Sequence, residues 1–158
     1  MNGDAEVNEL DAADIYAYIN TGVWPNAPVG GSGMLLFATS SVHSDGLLRF
    51  PITLSDAVNV RSLEIELLYN EDQLDYRNFI QLLSSENNLV SVQKISDGKV
   101  KIIYMSANAK NGSLIPTEVR FNINGDPNAL TQITSKYSVN GGEMIVGPTL
   151  WFKWCYRC

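Results

Sequence analysis

Near the start of the chain, oxygen-bearing side chains stand at almost every second place: Asn2, Asp4, Glu6, Asn8 and, closing the run, Asp11. Calcium is a hard cation that takes roughly six to eight oxygen ligands. A tight twelve-position loop of the EF-hand type supplies them from alternate positions, with a carboxylate at the last. Laid on that frame with position 1 missing, these residues fall at positions 3, 5, 7, 9 and 12. The chemistry on offer is cation binding. Because the loop begins inside its motif, the chain is expected to be a fragment.

Other residue types that carry chemistry lack the company they need. His43 sits beside a turn signal, Ser44-Asp45-Gly46, with no nucleophile elbow or metal-ligand spacing near it, and reads as a turn histidine. Cys155 and Cys158 form a C-x-x-C pair at the end of the chain, outside any strand-to-helix context and without a second pair or a histidine. They read as a tail able to close a small disulfide loop. Glu64 with Glu66, and Glu71 with Asp72, fall on a strand surface and in a turn, where they are solvated and do not resemble a glycosidase pair. No enzyme is expected.

Acidic residues number 17 against 11 basic ones, for a net charge of -6, and no lysine or arginine cluster stands out. That balance argues against nucleic acid or an anionic membrane as partner. Hydrophobic content is 45%, but in short runs, none near the ~20 residues of a membrane span.

These features need elements to position them. Residues 11–21 read as a short helix, with Ala12, Ala13 and Ala17 favouring it, Asp11 as N-cap and Gly22 as its stop. Leu10, Asp14, Ile15, Tyr18 and Ile19 fall on one helical face, and the apolar stripe Ile15, Tyr18 and Ile19 is a candidate for self-association. Residues 23–33 are a linker by composition. From Met34 the period changes to two. Leu48, Phe50 and Ile52 alternate with polar residues or proline, as do Leu63, Ile65 and Leu67, then Val100, Ile102 and Tyr104, then Val119, Phe121 and Ile123. Turn signals separate the runs at 44–46, 69–72, 96–98, 111–112, 124–127 and 140–142. Residues 73–88 are ambiguous, with 74–79 able to form a strand and 79–83 a helical turn, and the reading taken is a strand and then an irregular loop. Pro51 belongs at a sheet edge or bulge. The expected fold is all-β: an antiparallel sandwich of the jelly-roll kind with about eight or nine strands. It occupies residues 34–148, with the loop and helix (1–22) before the linker and an aromatic, cysteine-bearing tail (149–158) after it.

The segment Phe50 to Asn70 resembles the opening of a cohesin domain, and Tyr69-Asn70-Glu71-Asp72-Gln73-Leu74 stands where that family usually has Tyr-Asp-Pro-x-x-Leu. Ser138 to Val146 is similar to the family's last strand, so the resemblance covers roughly Val29 to Pro148. Residues 1–22 resemble half of a dockerin, a calcium loop and its helix, with Ala5 where glycine is usual. That likeness implies side-chain ligands from Asn2, Asp4 and Asp11, a carbonyl from Glu6, and Asn8 directly or through water. Affinity would be weak, in the ~10⁻⁴ to 10⁻³ M class. The cohesin likeness implies a non-catalytic socket for dockerin-containing partners, secreted or on a bacterial cell surface, in assemblies that degrade polysaccharide. Ser62 and Glu64 match the family's recognition positions, and Lys101, Ile103, Met105 and Asn108 lie along its second recognition strand. Ile103 and Met105 on an otherwise polar face point to a binding patch. The alternative is a carbohydrate-binding or adhesion sandwich, although the aromatics (9%) are scattered instead of set in a row.

Overall fold

The computed structural model describes residues 7–22, 30–37, 41–42, 46–84, 86–126 and 129–153. Among these residues one helix, α1 (Glu9–Thr21), precedes nine strands: β1 (Ser32–Phe37), β2 (Ser41–Val42), β3 (Leu47–Tyr69), β4 (Leu74–Gln81), β5 (Asn88–Ser96), β6 (Lys99–Ile123), β7 (Thr131–Val139), β8 (Ile145–Val146) and β9 (Leu150–Phe152). Every strand pairing is antiparallel.

Two long strands make the sandwich. The first half of β3 pairs with β1 and β2 on one edge and with the second half of β6 on the other, and β4 lies outside β6. From Ser62 onward β3 pairs instead with the first half of β6 and with β7, while β5 lies outside β6. The chain crosses between layers where the β3–β6 register shifts, between Ile52 and Ser62. Asp56 and Asn59 take positive φ there (51° and 53°), a conformation asparagine and aspartate tolerate better than other side chains. The sequence signal at Asn111-Gly112 belongs to this crossing. It is not a turn between strands but part of β6, with Gly112 at φ 88°.

The alternating residues meet between the layers. Leu48, Phe50, Ile52 and Phe121 from one layer and Leu63, Ile65, Leu67, Ile102 and Tyr104 from the other are all buried in one cluster. Pro51 pairs with Glu118 of β6, just ahead of the register shift between Ile52 and Leu54. β4 is a strand followed by irregular chain, as expected. The start of the tail departs from expectation: Leu150–Phe152 pair with Ile133–Thr131 as β9. Cys155, Cys158 and His43 lie outside the described residues.

Helix α1 begins earlier than the sequence reading placed it. Asn8, not Asp11, is the N-cap: its Oδ1 accepts from Leu10 N at 2.9 Å, and its own N–H donates to Asp11 Oδ2 at 3.3 Å, completing a capping box. Gly22 at φ 70° ends the helix in the left-handed conformation open to glycine.

Candidate functional site

The outer face of the β5–β6–β3–β7 layer carries the side chains that alternate with the core. On β3 these are Ser62, Glu64 and Glu66, with Ile103 opposite Glu64 and Met105 opposite Ser62 on β6. Two ion pairs run across the strands: Lys101 Nζ lies 2.7 Å from Glu64 Oε1 and Lys99 Nζ 2.8 Å from Glu66 Oε1. They are partly exposed, so they hold geometry more than they add stability. Five of the six expected partner-binding residues, Ser62, Glu64, Lys101, Ile103 and Met105, thus share one face. Asn108 does not join them: it is exposed in the stretch of β6 that loses register between Met105 and Lys110.

Helix α1 lies across this face. Its seated side buries Leu10 with two small residues, Ala13 and Ala17, beside Asp11 and Asp14, and the alanines let the helix backbone approach the sheet. The more apolar stripe, Ile15, Tyr18 and Ile19, turns outward and stays exposed. A groove remains between helix and sheet, lined by Val7, Asn8, Glu9 and Ala12 on one side and Glu64, Lys101, Ile103 and Met105 on the other.

Polar contacts fix the seat. Arg61, at the register shift beside Ser62, is turned toward the helix; its Nη1 pairs with Asp14 Oδ1 and its Nη2 donates to Ala13 O at 3.1 Å. The two charged side chains are 4% and 2% exposed, so this ion pair is buried. At the other end Glu9 Oε1 accepts from Ser138 Oγ at 3.2 Å and from Gly141 N at 3.0 Å. Gly141 is at φ 70°, and a Cβ there would lie 2.6 Å from the Asn8 side chain, so the turn closes against the cap only with glycine. Beneath, Asn140 Oδ1 accepts from both Arg61 N (2.8 Å) and Ser62 N (3.0 Å), while its Nδ2 donates to Asn59 O (2.8 Å).

Sequence reasoning missed Arg61, Asp14, Glu9 and Asn140 as site residues. Asn140-Gly141-Gly142 carried a turn signal, but nothing in it said that the amide would brace a distant strand. Of the five expected calcium ligands, Asn2, Asp4 and Glu6 lie outside the described residues, while Asn8 and Asp11 are joined in the capping box. Among the described residues no group of three or more His, Cys, Asp or Glu is placed to hold a metal, and no helix is long and apolar enough to cross a membrane.

No protein-family model matches the sequence, and neither does any curated protein. Solved structures do match in shape. The chain is similar to a cohesin module from a family 33 glycoside hydrolase of Clostridium perfringens (TM-score 0.63, 13% identity, 79% of this chain and 98% of that one). It is similar to the third ScaC cohesin of Acetivibrio cellulolyticus, solved in complex with a ScaB dockerin (0.61, 10%, 78% and 99%). It is also similar to the seventh ScaB type I cohesin of Pseudobacteroides cellulosolvens (0.60, 11%, 80% and 94%). At such identities the likeness is one of fold, and the described strands form a cohesin-like β-sandwich.

Proposed function

We propose that the chain is a non-catalytic protein–protein interaction module whose β5–β6–β3–β7 face binds dockerin-type partners, in the manner of a scaffold. One observation carries this reading: the face that groups Ser62, Glu64, Lys101, Ile103 and Met105 already accepts a helix, its own α1. A surface with an aliphatic pair ringed by partly exposed polar groups fits helix docking, where apolar contact gives affinity and polar contacts fix register. That one of the similar cohesins was solved with a dockerin supports the same choice of partner. An extracellular or cell-surface setting in polysaccharide-degrading assemblies goes with this reading.

Calcium is part of the proposal. Held by Asn2, Asp4, Glu6, Asn8 and Asp11, it would anchor the chain ahead of α1 to the capping box. Calorimetry on the full chain is expected to give a dissociation constant of about 10⁻⁴ to 10⁻³ M. The absence of any heat in that range would remove calcium from the account.

The experiment for the main reading is binding of the immobilised full chain to a panel of intact dockerins, with calcium and then with chelator. A Ser62→Ala/Glu64→Ala variant serves as the control. Binding that the variant loses supports the reading and locates the face. A panel that binds nowhere, beside a positive glycan screen, would transfer the chain to carbohydrate recognition.

A further inference from the structure

The contacts that seat α1 use chemistry that a helix from another chain can copy. Leu10, Ala13 and Ala17 repeat at the spacing that keeps one helical side against the sheet, and Asp14 places a carboxylate on Arg61. The fit is incomplete in one respect. Ser62 Oγ and Arg61 Nε are buried without a hydrogen-bond partner among the described residues. Buried polar atoms are almost always paired, so the seat offers polar contacts that α1 does not take. Ser62 is fully enclosed on the face where α1 lies, and it neighbours the arginine that holds the helix.

We infer that α1 is a ligand held in cis that closes this face, and that the partner helix able to displace it carries the same small-residue seam, a carboxylate for Arg61 and a polar side chain for Ser62 Oγ. This rests on the partner-binding reading above and adds the recognition chemistry. The covalent tether keeps α1 at an effective concentration on the order of millimolar at its own seat. A free helix with only the contacts of α1 therefore cannot compete, whereas one that also satisfies Ser62 can. Arg61 becomes the residue that selects for an acidic helix, since its guanidinium is always charged and its backbone N–H is held by Asn140 Oδ1 at the edge of the seat.

The test uses the full chain in three forms: unchanged, Asp14→Lys, and Asp14→Lys with Arg61→Glu. The probe is a labelled synthetic peptide of residues 7–22, followed by the amide resonances of Ser62, Glu64, Lys101 and Ile103. Lysine at position 14 repels Arg61 and opens the seat, so the Asp14→Lys chain is expected to bind the peptide at least ~10-fold more tightly than the unchanged chain. The double variant restores an ion pair of reversed sign, closes the face again and is expected to lose that binding. A peptide carrying Asp14→Asn should not bind the opened chain. Equal binding to the first two forms, or no shifts in the opened chain at millimolar peptide, overturns the inference. Amide spectra of the core strands report that each variant is folded. Intact dockerins form a second arm: binding stronger to the opened chain supports the inference, and equal binding to both overturns it. If the peptide binds the opened chain but no dockerin binds any form, the cis-ligand inference stands and the dockerin reading falls.

Discussion

Asp14 and Arg61 bury a pair of opposite charges between α1 and β3. Removing one member while the other stays buried costs about 3–5 kcal/mol. The molecule has another course, which is to let α1 go. Release exposes Leu10, Ala13 and Ala17, a loss of about 1.5–3 kcal/mol for the leucine and roughly 0.8 kcal/mol for each alanine methyl. The two costs are comparable, but release also returns Arg61 to water and frees the chain entropy of α1, so release wins. Asp14→Ala is therefore expected to detach the helix. A helix of 13 residues is marginal alone, so far-UV circular dichroism should lose helical signal while the urea midpoint of the sheet moves little. Retained helicity with a loss of several kcal/mol would instead show Arg61 staying buried and unpaired. Ser62 makes the opposite case. Its hydroxyl is enclosed and has no hydrogen-bond partner among the described residues, and deleting such a group relieves about 1 kcal/mol of desolvation cost. Ser62→Ala is expected to hold or raise stability in urea unfolding while weakening partner binding. Lower stability would mean that the hydroxyl is satisfied where α1 sits.

At the scale of elements, alternation was the legible signal because each layer buries one side of a strand. Leu63, Ile65 and Leu67, and Val100, Ile102 and Tyr104, fall inside as the period of two requires. That period says nothing of where a strand ends, and β3 and β6 each run through both layers where separate short strands were expected. The start of α1 was placed too late because Asn8 and Asp11, both capping types, stand three apart and only Asp11 was read as a cap. The structure uses both, as cap and as box partner. Least visible was Asn140. Its amide joins the turn after β7 to the bend of β3 through three hydrogen bonds, and such a brace has no local pattern. At about 1 kcal/mol net for each bond, with extra cost for donors left unpaired, Asn140→Ala should lose about 2–4 kcal/mol in urea unfolding. The same change should loosen Arg61 and with it the seat of α1, seen as faster amide exchange in both segments. An effect confined to the turn would mean that the brace does not hold the seat.

Taken whole, the molecule seats its helix on the side that hydrophobicity did not mark. Ile15, Tyr18 and Ile19 form the more apolar stripe, yet the sandwich takes the side that carries Leu10, Ala13, Ala17 and the acid Asp14, which finds its charge partner on β3. No scan of α1 alone could find that, since Arg61 is 47 residues away. The same burial that builds the sandwich sets its response to alkali. Burial raises the hydroxyl pKa of Tyr104 above its ordinary 10.0, and it is also the largest cause of the rise at Tyr69 and at Tyr76. In the unfolded chain these hydroxyls ionise near 10. The folded chain therefore holds more protons above that pH, and stability, full below about pH 10, falls as pH climbs toward the folded values. Tyr104 allows the contribution to be isolated. Its hydroxyl donates to Asn88 Oδ1 at 3.0 Å inside the core, so Tyr104→Phe should cost about 1 kcal/mol at neutral pH through the lost bond. It should also flatten the alkaline loss, because one proton-holding group is gone. Urea unfolding at several pH values on both chains measures the two effects together. Parallel curves above pH 10 would mean that Tyr104 ionises alike in the folded and unfolded states, and that the core is open to hydroxide where the structure shows it closed.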